Sequence, residues 1–412
     1  MEVSSEGLSR LGRLFWEKGL HLYAVGGFVR NALLSLPASD IDICSRAMPR
    51  EVADICRSAA SVTPVNPRLG TVSIDVDGET FEHTTFRTES YGTGRDPVAV
   101  SLPASMRDDA FRRDFTVNAL YLDTVTGELL DPTQKGLQDI RARRLATTAD
   151  DPSAIMRDDG LRLLRLARFA GELDLLPTWE LISAARENCS LIDTIPPARI
   201  FGELGRLFLS DSPYCAEEGH VRSLHLLLRC NIWERLFGSP PSPSALALYA
   251  CSPPELPLRT AALFFGRGAG EISSALVKNG FPKYVWKPVV QLCIALSSLE
   301  DGAHPTDVAL ALGREHFSLL YRLCSSADRI FDSPAVRAVC TEWRRAEQNG
   351  APLALSELAV GGRDMLALGV DGRCVGDMLR RLLSLAAENP SLNTRDRLLS
   401  AAADILGLAK GR

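Results

Sequence analysis

Two kinds of hydrophobic period alternate in the first third of the chain. Residues 21 to 25, HLYAV, form a short apolar run closed by Gly26 and Gly27; FVRNALLSL follows at helical spacing, and IDI then stands between two breakers. This pattern predicts strand, tight turn, helix and strand. Alternation of apolar and polar positions returns in TVSIDVD and ETFEHTTF, joined through Asp77-Gly78, a dipeptide suited to a two-residue hairpin. NALYLD and ELLD, separated by Thr126-Gly127, predict another strand pair. Between them, Tyr91 to Asp109 carries Gly92, Gly94, Pro97 and Pro103 with little periodicity and reads as a mobile loop. The N-terminal stretch MEVSSEGLSRLGRLFWEKGL reads as an amphipathic helix.

From about Asp150 the pattern changes. Leucine and alanine recur at helical periods and strand signals vanish, with proline-rich breaks at 238–244, 251–257 and Asp301 to Pro305. No repeat of fixed period is present. The fold class expected is α+β: a small mixed-sheet domain with helices, followed by an all-helical array.

Composition adjusts this picture in three ways. At 412 residues the chain exceeds the size at which one core stays efficient, so two or more packed units are expected. With 46% hydrophobic and 24% charged residues, no apolar run of membrane length and acidic residues near the start, it reads as a cytoplasmic protein without a secretory signal or membrane span. The ten cysteines, from Cys44 to Cys374, include no CxxC pair, which argues against a zinc site and predicts reduced, mostly buried thiols. A net charge of -5 is not that of a basic nucleic-acid binder, yet arginines cluster at Arg107, Arg112 and Arg113, at Arg141, Arg143 and Arg144, and from Arg157 through Arg168. A polyanion could bind there, although any one cluster taken alone reads more readily as a solvated face.

A carboxylate pair is a candidate for chemistry, although DxD taken alone is a weak signal that occurs in many exposed turns. Asp40 and Asp42 are two apart on an expected strand, so both side chains project to one face, about 7 Å apart along the chain, with Ile41 and Ile43 on the other. Two such carboxylates repel unless neutralised. A pair of Mg²⁺ ions would do this while activating an attacking hydroxyl and stabilising a leaving pyrophosphate. Glu82, on a neighbouring expected strand, is a third metal ligand or a solvent-facing residue, and the sequence leaves both readings open. Gly26 and Gly27 let backbone approach a triphosphate, the following helix offers N-terminal amides, and Arg30 adds a fixed charge.

AVGGFVRN, DIDI, TFEHTTFRTE and DDAFRRDFTVNAL resemble, in order and spacing, the head of the class II CCA-adding enzyme and bacterial poly(A) polymerase family. RDDGLRLLRLARFAGEL resembles that family's nucleotide-selecting helix, and the likeness is specific over residues 20 to 205. GVDGRCVGDMLRRLL and NTRDRLL continue it more weakly towards the C-terminus. The resemblance implies a polymerase-beta-like nucleotidyltransferase head at 1–148, then an elongated all-helical neck at 149–210, body at 211–300 and tRNA-binding tail at 301–412. It implies that Asp40 and Asp42 bind two Mg²⁺ ions, that Gly27 and Arg30 touch the triphosphate and sugar, and that Arg112 and Arg113, oriented by Asp114, shape the pocket. Asp159 and Arg162 correspond to the base-reading pair, on one helix, with Arg165 and Arg168 continuing towards phosphate. The helical phase of Asp159 with Leu163, Leu166 and Ala170 turns it towards the apolar stripe, against a competing reading as a helix N-cap or an ion pair with Arg162. Arg199 and Glu203, four apart, are expected to brace helices.

The implied activity is template-independent addition of C, C and A to the tRNA 3′ end from CTP and ATP. Asn31 stands where the family usually has Asp, and Asp158 where it has Glu. No His-Asp dipeptide is present, so the phosphohydrolase domain of some relatives is not expected. The rivals are a poly(A) polymerase, disfavoured by the lack of a basic C-terminal extension, and an enzyme adding only CC, disfavoured by the long segment after Tyr91, or only A. An inactive RNA-binding relative is disfavoured by the intact Asp40/Asp42 and Asp159/Arg162 pairs.

Overall fold

The structure of the protein, a computed structural model, describes residues 5–37, 40–90, 99–327 and 333–407. The expected N-terminal helix, α1 (Glu6–Trp16), starts where the Ser5 hydroxyl accepts from the Leu8 amide at 3.0 Å. Leu8, Leu11 and Phe15, at i, i+3 and i+7, are wholly buried.

Strands β1 (Tyr23–Val25), β2 (Asp42–Ser45), β3 (Ser61–Asn66), β4 (Thr71–Val76) and β5 (Glu79–Thr85) carry the first half of the head, with α2 (Gly27–Leu34) after β1 and α3 (Pro49–Cys56) after β2. A small ribbon of β6 (Thr88–Ser90) and β7 (Ala99–Ser101) precedes α4 (Met106–Phe111). Then come β8 (Tyr121–Asp123), β9 (Leu129–Leu130) and α5 (Gly136–Arg141). The main sheet has the order β3-β4-β5-β2-β1-β8-β9. Only β2 and β5 pair in parallel; the crossover between them passes through α3 and the β3–β4 hairpin. The Asp77-Gly78 turn between β4 and β5 takes φ of 52° and 81°, the mirror-image geometry that matches strand twist.

Two features differ from the sequence pattern. SVTPVN forms β3 although Pro64 interrupts it; the strand is tolerated because it lies at the sheet edge, where a missing amide donor costs no ladder bond. The segment expected to be one loop is not one: residues 91–98 lie outside the described residues, Ala99–Ser101 pairs with Thr88–Ser90, and from Met106 the chain is α4, capped by Ser105 on the Asp108 amide.

Helices α6 (Pro152–Asp158), α7 (Leu161–Glu172), α8 (Trp179–Glu187), α9 (Pro197–Phe208) and α10 (Gly219–Arg229) follow. Strand signals do not vanish entirely, since Leu176–Pro177 pairs in parallel with Arg144–Leu145. The chain divides into two compact units, Met1–Pro240 and Pro241–Arg412, and the division falls within the proline-rich stretch at 238–244. The second unit is helical from Pro243–Cys251 to Arg395–Ile405, with one core cluster around Met365, Leu382, Ala386 and Leu398. All ten cysteines are free and six are buried. Among the described residues no helix is long and apolar enough to cross a membrane.

α7 is buried on almost every side and packs against α9 and α10. Its Gly171 is required by contact: a Cβ there would stand 2.0 Å from Ser223 Oγ and 2.4 Å from the Gly219 carbonyl. We therefore expect Gly171→Ala to destabilise the first unit by about 1–3 kcal/mol, because two helix backbones must separate. A urea midpoint unchanged from wild type would contradict this close approach.

Candidate active site

β1 ends at Val25 and the chain turns through Gly26, whose φ of 73° and ψ of -131° suit glycine alone. The turn brings the start of α2 beside β2. A Cβ on Gly26 would lie 3.6 Å from Asp42 Oδ2 and 3.9 Å from Arg113 Nη1, so the glycine leaves this carboxylate open. Asp42 opens β2, in register with Val25 on one side and Glu82 on the other. Asp40 is exposed and precedes the strand instead of lying on it, a correction to the two-on-one-strand expectation. Both aspartates line one cavity of about 900 Å³, and Glu82 is outside its lining. Neither Asp40 nor Asp42 makes an ion pair or side-chain hydrogen bond with a described residue. Burial in the concave wall pushes the Asp42 carboxyl up from its ordinary value; Arg113 opposes this, while Glu82 and Asp40 reinforce it.

This donor set suits Mg²⁺. Two open carboxylates leave further coordination positions to water and phosphate oxygens, as that ion favours. Among the described residues no group of three or more His, Cys, Asp or Glu gathers closely enough to hold a metal alone, so an ion here would draw ligands from substrate and solvent.

Nine arginines line the cavity against six carboxylates, a surplus that fits a polyanion. Most are held from behind. Asp109, 1% exposed, binds Arg112 at 2.7 Å and Arg113 at 3.0 Å and accepts from the Tyr121 hydroxyl at 2.7 Å. Burial alone would raise the Asp109 carboxyl; the two guanidinium groups and the tyrosine outweigh it and hold the group far below the usual carboxylate range. Asp109, not Asp114, therefore orients Arg112 and Arg113. Asp114 binds Arg165 through two bonds of 2.8 and 2.5 Å and accepts from Asn118 at 3.0 Å. Arg168 sits between Glu203 and Glu172, each at 2.7 Å. Arg165 and Arg168 thus face the cavity with their charge already matched, and Glu203 braces α7 through Arg168, not through Arg199.

Arg30 is 5% exposed and donates to Asn118 Oδ1 at 2.6 Å and to Asn31 Oδ1 at 3.0 and 2.7 Å. That fixes the Asn31 amide nitrogen towards the Pro37 carbonyl and the Tyr214 hydroxyl, at 2.6 and 3.0 Å. An aspartate could donate neither bond, so Asn31 does what the family's usual residue could not. Arg30, Arg165 and Arg168 all stack on the Phe169 ring, 5.1, 4.9 and 4.2 Å from its centroid.

Asp159 is not on a helix with Arg162. It adopts extended backbone, φ -147° and ψ 107°, in the break between α6 and α7, so its helical phase with Leu163 does not apply. Its Oδ1 accepts from the Leu161 amide at 3.0 Å, which is the capping role, and Oδ2 is left for the cavity that Asp159 lines. Arg162 is 7% exposed and donates to the Ile155 carbonyl at 2.9 Å and the Arg112 carbonyl at 2.6 Å, with Asp158 at 3.7 Å. The break and the RRD segment are thereby tied together. Asp109, Asn118, Phe169 and Tyr214 are site residues that no motif in the sequence singles out. Asp109 was within reach, since it lies three and four residues before Arg112 and Arg113; the others meet only in the folded chain.

A mixed sheet with open carboxylates beside a glycine turn, facing a bank of arginines, defines a nucleotidyltransferase head. Residues 22–146 match the family described as "Poly A polymerase head domain", and residues 179–243 match "Probable RNA and SrmB- binding site of polymerase A". A CCA-adding enzyme of Limosilactobacillus fermentum is 31% identical over 397 residues, covering 95% of this chain and 94% of the relative. The chain belongs to the CCA-adding enzyme family. Its fold is similar to that of the Bacillus stearothermophilus CCA-adding enzyme in complex with CTP, with a TM-score of 0.78, 23% identity and 99% of each chain covered. It is also similar to the Thermotoga maritima enzyme complexed with tRNA, with a TM-score of 0.68, 16% identity and coverage of 97% of this chain and 94% of that one.

Asp109 carries a pH prediction. Its folded value is depressed, so its stabilisation is complete above the unfolded carboxylate value of about 3.9 and is lost as pH falls below that towards the folded value. Asp109→Asn should lower stability at pH 7 by roughly 3–5 kcal/mol, leaving two guanidinium groups without their buried partner, and should flatten the acid limb below about pH 4. Urea midpoints at pH 7 and in acid test this; a variant as stable as wild type at pH 7 would contradict the pinning role.

Proposed function

We propose that this chain completes tRNA 3′ ends by adding C, C and A from CTP and ATP, releasing pyrophosphate, in the cavity lined by Asp40, Asp42, Asp159 and Arg162. The observation that carries this reading is the unpaired state of Asp40 and Asp42 inside an arginine-lined cavity. Similarity along nearly the whole of a relative named as a CCA-adding enzyme favours CCA addition over the poly(A), A-only and CC-only alternatives. In this reading the first unit supplies catalysis and nucleotide choice, the tail at 301–412 holds tRNA, and the enzyme works in the cytoplasm.

Asp40 and Asp42 are the residues that would hold two Mg²⁺ ions; Glu82 is paired directly with Asp42 across β2 and β5 but lies outside the cavity's lining, so it acts on Asp42 through its charge. When bound, such ions neutralise charge on the α-phosphate and leaving pyrophosphate and make the RNA 3′-hydroxyl a better nucleophile. Gly26 and Gly27 let the triphosphate approach backbone amides at the start of α2, and Arg30 and Arg113 add charge from fixed positions. Arg112, held by Asp109, limits where the nucleotide can lie.

Asp159 and Arg162 read the base. Cytosine and adenine both place an exocyclic amine donor beside a ring-nitrogen acceptor; the free Asp159 Oδ2 accepts from the first and a remaining Arg162 N–H donates to the second. Uracil and guanine present the reverse order. Each unmet polar group costs about 1–3 kcal/mol, so a mismatch is rejected roughly 10- to 100-fold. The capping bond to Leu161 and the carbonyl bonds of Arg162 hold both groups before nucleotide arrives, so little order is lost on binding.

Purified protein with Mg²⁺ should extend tRNA lacking its terminal triplet with CTP and ATP, not with UTP or GTP. Transcripts ending before the first C and after CC, beside unstructured RNA, resolve this on one gel; long A tracts on unstructured RNA would defeat the proposal. Asp42→Ala should lower single-turnover transfer by about 10³-fold, the equivalent of roughly 4 kcal/mol of lost charge stabilisation, while tRNA affinity stays near wild type. Unaltered turnover would remove Asp42 from the chemistry.

A further inference from the structure

α9 turns Arg199, Gly202, Glu203 and Arg206 into the cavity, at i, i+3, i+4 and i+7 of one helical face. Glu203 is occupied by Arg168. The cavity's other arginines are all engaged, by carboxylates, amide oxygens or backbone carbonyls. Arg199 and Arg206 differ: neither side chain makes a hydrogen bond or ion pair with a described residue.

Between them lies Gly202, exposed and in the interior of a twelve-residue helix. Glycine there is less stable than alanine, so its presence needs a reason. Contact within the protein does not provide one, because a Cβ on Gly202 would meet nothing within 4 Å, and its backbone is not left-handed. Gly171 of α7 makes the contrast, since there an added Cβ strikes Ser223. The bare backbone at Gly202, flanked by two uncommitted guanidinium groups about 10 Å apart along the helix, suits a flat anionic strand lying against α9.

We propose that the Arg199–Gly202–Arg206 face of α9 is the track for the phosphodiester backbone at the RNA 3′ end. This rests on the CCA-adding reading of the cavity. The nucleotide's own triphosphate belongs at Gly26, Gly27 and Arg30, on the head side; the RNA strand is the second polyanion that must enter to bring its hydroxyl to the carboxylates. Arginine contacts to phosphate position the strand without reading sequence, so C- and A-ending primers use the same track.

The test measures equilibrium binding of tRNA lacking its terminal triplet to the full chain, without nucleotide or Mg²⁺, over a series of salt concentrations. Arg206→Ala should weaken binding about ten-fold and reduce the slope of log affinity against log salt by about one, with KM for CTP and ATP within two-fold of wild type. Gly202→Leu supplies a better helix former and a side chain in the track: it should melt no lower than wild type yet bind tRNA at least ten-fold more weakly. Wild-type tRNA affinity in both variants would overturn the proposal, and so would a raised KM for CTP with tRNA binding unchanged, which would give these arginines to the triphosphate. Failure of the CCA reading is distinguishable, because the wild-type protein would then neither bind nor extend this tRNA.

Discussion

The site depends on keeping opposite charges apart. Asp42 Oδ2 and Arg113 Nη1 both lie close to Gly26, and the guanidinium already acts on the carboxylate through its charge, so a released Arg113 would be drawn towards it. Asp109 prevents this by engaging the Nε and Nη2 of Arg113 from a wholly buried position, with Arg112 held by its other oxygen. Asp114 does the same for Arg165, and Glu203 and Glu172 for Arg168. Removing Asp109 would leave the Arg113 guanidinium without its buried partner and with Asp42 nearby to attract it, whereas Arg168 keeps one glutamate if the other is lost.

The same arrangement gives rigidity at Asp159 and Arg162, where we place nucleotide choice. Arg162 bonds to carbonyls of α6 and of the RRD segment, and Asp159 is fixed by capping α7. Each group therefore serves the fold with one part and faces the cavity with another. Preorganised donors and acceptors of this kind discriminate because they cannot rearrange to suit the wrong base. Asn31 extends the same principle to the glycine turn, where its oxygen serves Arg30 and its nitrogen ties α2 to Tyr214, beyond α9 in the chain.

Much of this was legible in the sequence. The order of β1, α2, β2 and the β4–β5 hairpin followed from apolar period and turn residues, because each element is long enough, or bounded sharply enough, to set its own period. The misreadings share a cause. Asp40 was placed on β2 and Asp159 on a helix because the apolar pattern runs on past the point where the backbone leaves the regular element, and Gly160, which packs against the Leu191 carbonyl, marks that break only once the fold is known. Arg199 and Glu203 share the expectation of bracing helices, but only Glu203 does so, through Arg168 on another helix, a choice that local spacing cannot express. Pro64 concealed β3, whose edge position is a property of the sheet and not of the segment.

The central claim is that Asp40 and Asp42 stay unpaired so that divalent cations can bind between protein and nucleotide. Crystals of the full chain grown with Mn²⁺ and a non-hydrolysable CTP analogue test it through the anomalous signal of the metal. Manganese peaks are expected within coordination distance of both carboxylates, with Arg113 still on Asp109. An Asp42 carboxylate bonded to Arg113, with no metal beside it, would contradict it.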